Sequence, residues 1–156
     1  MKHSGVWLGI DPGQARIGVA ACDPAGVLAV PVETVPRQTG DVARIVSIAA
    51  ERDAVQIIVG LPRSLSGAEG AAAESARAFA RSLVAVTDLP VRLFDERLTT
   101  VTATRELRAA GRTSRNSRSV IDQAAATVLL QAALDAARDG GASVGELVPT
   151  AREGER

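Results

Sequence analysis

The sequence predicts an α/β domain on one five-stranded mixed sheet, in the order β-β-β-α-β-α-β-α-α, with helices on both faces. Three observations carry that reading. The first 36 residues hold three short apolar runs joined by short turns that contain Pro and Gly, the pattern of an antiparallel meander. Helical and extended periods then alternate, as in βαβ units that place helices on both faces of a sheet. The chain has 156 residues, 46% hydrophobic and 23% charged, which is one ordinary domain with enough apolar material for a core.

Val6–Ile10 is a strand-length apolar run ending in Asp11-Pro12-Gly13, and Ile17–Cys22 and Val27–Val35 are two more. Val42, Ile45, Ile48 and Ala49 recur at three-to-four spacing, so 41–52 reads as a helix. Gln56–Gly60 is a strand with an all-apolar centre, the mark of burial on both faces. A polar loop from Leu61 to Gly70 follows, then a helix over 71–86 and a strand at Val91–Phe94. Thr99 or Thr100 is placed to cap a helix running to about Ala110, with Gly111 as its stop. The last helix is read over 119–138, with Ile121, Ala125, Val128 and Ala132 in a stripe. A single domain over 1–138 is therefore expected, with 139–156 a mobile tail.

Composition removes several chemistries. His3 is the only histidine and Cys22 the only cysteine, so a zinc site and a His-dependent nucleophile are poorly supplied. Cys22 stands in an apolar run and reads as a buried, inert thiol. Lys2 is the only lysine, and no phosphate-binding Gly-x₄-Gly-Lys loop exists. The aromatics are Trp7, Phe79 and Phe94, too few for a base-stacking platform. Met1–Gly5 is too short for a signal peptide, and no apolar stretch reaches the roughly 18 residues of a membrane span, so a cytoplasmic location is expected. Net charge is zero, yet between Arg92 and Arg118 seven arginines face only Asp95, Glu96 and Glu106. That stripe suits contact with phosphates or, read plainly, is a solvated helix face.

Acids at element ends are the remaining candidates. Asp11 ends the first strand, Asp95 and Glu96 follow the fifth, and Asp122 falls in the first turn of the last helix. Each has a plain structural role open to it. Asp11 can cap the turn before Pro12, Asp95 and Glu96 can be solvated loop charges, and Asp122 can sit favourably in a helix dipole. Neighbouring strand residues point to opposite faces, so Asp95 and Glu96 are not expected to share a role. If the acids meet at one sheet edge, carboxylates with no imidazole or thiolate suit Mg²⁺ or Mn²⁺. Such ions activate water and stabilise a leaving oxygen in phosphodiester hydrolysis.

Four blocks then resemble the YqgF/RuvX family of RNase H-like proteins, a family of Holliday junction resolvases and pre-16S rRNA nucleases. They are GIDPGQARIGVAACD (9–23), IIVGLPRSLSGAEG (57–70), LFDERLTT (93–100) and IDQAAATVLLQAALD (121–135), and the likeness spans about 5–138. The resemblance implies an RNase H-like fold and a metal-dependent nuclease with Asp11, Glu96 and Asp122 as metal ligands and catalytic residues. It implies phosphate contacts from Arg16, Gly18 and Arg97, and from a loop between Gly60 and Gly70 that contains Arg63. Arg112, Arg115 and Arg118 resemble the family's basic segment before the last helix. Two departures stand out: Ala15 replaces a lysine found in many members, and the fourth strand ends in Gly60-Leu61-Pro62 without an acid. The implied substrate is a four-way DNA junction or precursor rRNA. Two symmetric cuts in a junction would call for a homodimer, whereas trimming an RNA end would not. The alternatives are a nucleic-acid-binding or ribosome-assembly module of the same fold with little catalysis, and an ATPase-like domain sharing the Asp-x-Gly turn, which needs a second lobe that 156 residues cannot supply.

Overall fold

The computed structural model describes residues 5–64, 66–96, 115–140 and 144–150, with 115–120 and 140 in backbone only. Three strands open the chain: β1 (Val6–Pro12), β2 (Arg16–Cys22) and β3 (Ala29–Pro36). They pair antiparallel, β1 with β2 and β2 with β3. The β2–β3 turn is set by Asp23, whose carboxylate accepts the N–H groups of Val27 and Leu28, both at 2.8 Å. Those two donors hold the Asp23 carboxyl below its ordinary range.

Helix α1 (Asp41–Glu51), β4 (Ala54–Leu61), α2 (Ala71–Val84) and β5 (Val91–Asp95) follow. β4 lies parallel to β1 on one side and to β5 on the other. The next elements among the described residues are α3 (Arg115–Gly140) and β6 (Glu146–Leu147). The sheet order is β3-β2-β1-β4-β5-β6, so the mixed sheet has six strands where five were expected. The sixth comes from the stretch read as a mobile tail, because a two-residue strand offers no alternation to read. β6 pairs antiparallel with β5 through Leu93–Glu146 and Arg92–Leu147. Gly145, at φ 75°, makes the approach: a Cβ there would sit 2.2 Å from the Leu93 carbonyl oxygen.

Helices cover both faces, as predicted. Ile45 and Ile48 of α1 and Ala76, Phe79 and Leu83 of α2 pack on Leu8, Ile10, Ile57 and Val59. On the opposite face Ala126, Leu129, Leu130 and Leu134 of α3 pack on Trp7, Ala20, Ile58 and Phe94. Alternation along β1 therefore sends Leu8 and Ile10 one way and Trp7, Gly9 and Asp11 the other. Gly9 lets α3 come close, since a Cβ there would lie 2.6 Å from that of Leu130. The helix is also tied to β3. The Gln131 amide accepts the Ala29 N–H and donates to the Val27 carbonyl, both at 2.9 Å, and Gln123 Nε2 donates to Thr34 Oγ1 at 3.0 Å. Cys22 is buried, accepts the Trp7 N–H at 3.2 Å, and has its thiol pKa raised chiefly by burial. The helix expected between Thr99 and Ala110 lies outside the described residues.

Candidate active site

Among the described residues, Asp11, Glu96 and Asp122 are the buried charged side chains, at 3%, 3% and 2% exposure. A carboxylate withdrawn from water must be held by partners or a cation. The sheet register explains how three distant acids reach one region. Asp11 on β1 stands opposite Gly18 on β2. It is also one step beyond the Ile10–Val59 pair, level with Gly60 on β4. Asp11 is thus flanked by two glycines, and both open onto the α3 side.

Each glycine makes room for one of the other acids. A Cβ on Gly18 would lie 2.0 Å from the Asp122 carbonyl oxygen, so α3 rests its backbone directly on β2 there. A Cβ on Gly60 would lie 2.6 Å from Glu96 Oε1, so the carboxylate occupies the place of the missing side chain. Asp122 and Glu96 thereby stand on either side of Asp11. Gly18, implied by resemblance as a phosphate contact, is packed under the helix: the space over its Cα is filled by the Asp122 backbone.

The helix-dipole reading of Asp122 does not hold. The helix begins at Arg115, so Asp122 is two turns inside it, beyond the reach of the terminal charge. Arg115 and Arg118 accordingly stand on the helix itself rather than on a linker before it. Asp95 and Glu96 diverge as expected. Asp95 ends β5 level with Leu61, on the α1–α2 side, with Arg63 Nη1 3.4 Å from its carboxylate. Arg63 also donates through Nε to Glu69 at 3.1 Å. Glu69 accepts Arg77 Nε at 2.8 Å, and Arg77 Nη1 reaches Glu146 of β6 at 2.9 Å. Arg77 and Arg63 together pull the Glu69 carboxyl down to about 2. Arg63 is therefore one link of an ion-pair chain running from β5 to β6. Arg97 and Arg112 lie outside the described residues.

Arg16 is placed at the acids, donating through Nε to Asp122 Oδ2 at 2.8 Å. Beside this pair opens a cleft of about 390 Å³ lined by Pro12, Gly13, Arg16, Pro62, Ser75 and Asp122. A second guanidinium backs it. Arg37 donates to the Gly13 carbonyl at 2.7 Å and to Ser75 Oγ at 3.3 Å, and lies over the Phe79 ring. No motif marks Arg37 in the sequence, because its neighbours are brought to it by the fold. Three buried carboxylates form an all-oxygen donor set suited to a hard divalent cation, and they fit one in kind. They are not drawn into a ligand cluster, since no three Asp, Glu, His or Cys among the described residues are gathered closely enough to hold an ion.

Residues 5–136 match the family described as RuvX, Holliday junction resolvase. The chain belongs to the RuvX family. Its relatives include a "Putative pre-16S rRNA nuclease" of Nocardioides sp. (strain ATCC BAA-499 / JS614), 58% identical over 94% of this chain and 97% of the relative. A protein of the same name from Thermobifida fusca (strain YX) is 56% identical over the same shares. Among solved structures, "T. thermophilus RuvC in complex with Holliday junction substrate" aligns with TM-score 0.51 over 92% of this chain and 99% of that one. At 16% identity that likeness shows the fold alone, and it is the RNase H-like one. As a RuvX-family chain, the protein is a nuclease, a hydrolase acting on ester bonds.

Proposed function

We propose that the chain is a metal-dependent endonuclease that hydrolyses nucleic-acid phosphodiesters at Asp11, Glu96 and Asp122. The observation that carries this reading is the Gly18–Asp11–Gly60 row, over whose two glycines the other two acids lie. Mg²⁺ or Mn²⁺ held by these carboxylates would supply water activation and charge neutralisation at the scissile phosphate. The chain's own residues do the rest. The three carboxylates are carried on two strand ends and a helix and are buried, where a charge acts more strongly than in water. Arg16 supplies a cation lining the adjoining cleft, with Arg37 behind it, and a guanidinium matches phosphate oxygens two at a time.

Precursor 16S rRNA is the favoured substrate, because relatives more than half identical over nearly their whole length bear that name. A four-way DNA junction is the second reading, on the family description; it adds a homodimer with two symmetric sites. Among the described residues no helix is long and apolar enough to cross a membrane, and the proposed place of work is the cytoplasm. The test is cleavage of labelled precursor rRNA and of a labelled junction with Mg²⁺, Mn²⁺ or EDTA, by wild type and by Asp11→Asn, Glu96→Gln and Asp122→Asn. Metal-dependent cutting is expected, with each variant at least about 100-fold slower. Failure to cut either substrate would make the chain a binding or assembly module, and variants as active as wild type would remove the site.

A further inference from the structure

Arg16 bonds to the very carboxylate that the proposed function assigns to a metal. Its contact with Asp122 is a single Nε–Oδ2 bond of 2.8 Å, between a side chain 31% exposed and one 3% exposed. The arginine is thus the movable member, and the acid is the fixed one. Asp122 cannot retreat, because its backbone lies on Gly18 with no space for even a Cβ between them. Both residues line the same cleft, so Arg16 has open volume to swing into.

We infer that Arg16 is a latch on the metal site: it holds Asp122 in the metal-free chain and leaves it to bind a substrate phosphate. The inference rests on the proposed function for Asp122 as a metal ligand. A guanidinium and a divalent cation repel one another and compete for one carboxylate oxygen, so Arg16 weakens metal binding while it stays. A phosphate oxygen is an equally good partner for the guanidinium, and it lies where the cation is needed. Substrate that draws Arg16 away therefore tightens the metal, and by linkage metal tightens substrate to the same degree. The free chain is left with a poorly loaded centre, and loading accompanies engagement of nucleic acid.

The test is Mn²⁺ binding, followed by electron paramagnetic resonance of the free ion, to the full-length wild type, Arg16→Gln, Arg16→Lys and Asp122→Asn. Binding of a fluorescent precursor-rRNA fragment in EDTA is measured alongside by anisotropy. Arg16→Gln should bind Mn²⁺ at least about fivefold tighter than wild type and the RNA more weakly. Arg16→Lys keeps the charge but loses the Nε donor, and should bind Mn²⁺ about twofold to fivefold tighter; it decides the matter if the glutamine variant does not fold. Unchanged or weaker Mn²⁺ binding in the Arg16 variants, with Asp122→Asn abolishing it, would overturn the latch and leave the metal site standing. Mn²⁺ binding that is insensitive to Asp122→Asn would overturn both.

Discussion

Gly18 and Gly60 flank the same aspartate and yet differ in what they tolerate. A methyl group on Gly18 meets a backbone carbonyl at 2.0 Å, and a helix backbone can yield only by moving the whole helix. Gly18→Ala should cost about 3 kcal/mol or more, lowering the melting temperature on the order of 10 °C. A methyl on Gly60 meets the far end of the Glu96 side chain, which can rotate away, and Leu129 Cδ2 at 3.2 Å. Gly60→Ala should melt within a few degrees of wild type and lose about 100-fold in kcat/KM, because the carboxylate is misplaced by about an ångström. Thermal melts and single-turnover cleavage of the two variants check this contrast; equal effects on stability would refute it. Asp11 and Glu96 stand at strand ends, as read from the sequence, whereas Asp122, read in the first turn of the last helix, lies two turns inside it. The glycines' separate tasks were not, because a close approach between a strand and a helix a hundred residues later leaves no local pattern. The same holds for Arg16 and Arg63, whose arginine chemistry is evident while their partners are settled only by tertiary placement.

At the scale of elements, the ion-pair chain Asp95–Arg63–Glu69–Arg77–Glu146 joins β5, the loop before α2, α2 itself and β6. Its centre is Glu69, whose carboxyl is held at about 2 against an ordinary 4.5. A carboxyl lowered by folding adds stability that is fully present above its unfolded value and lost as pH falls toward its folded one. Wild type should therefore exceed Glu69→Gln in stability at neutral pH, with the gap closing between about pH 4.5 and 2. Urea titrations at stepped pH measure it, and a gap that persists at pH 2 would contradict the assignment. The pairs are solvent-facing, so the gap should also narrow in high salt. The strand order through β5 follows from apolar runs, turn residues and the change of period. β6 escaped because it is short and is defined by pairing with β5 and by Gly145 rather than by any alternation of its own. The early start of α3 escaped too, because 115–118 are polar and carry no apolar stripe to signal a helix.

For the whole molecule, zero net charge gives no overall field that attracts nucleic acid, so the proposed contacts at the cleft would have to act locally. Stoichiometry separates the two substrates. Wild type diluted with inactive Asp11→Asn should process precursor rRNA in proportion to the active fraction if single copies act. Paired cuts in a four-way junction should instead follow the square of that fraction, because two copies must act together. Quantified gels across a dilution series distinguish a straight line from a parabola. The close seating of α3 on Gly9 and Gly18 has one more outcome, for anyone reading tolerance to mutation. Because the helix that carries an acid also rests on bare backbone, intolerance at those glycines would be indistinguishable from catalytic intolerance in any screen scored by activity alone. A screen that counts surviving folded protein would split the two, leaving Gly18 among the intolerant positions and releasing Gly60 and the three acids.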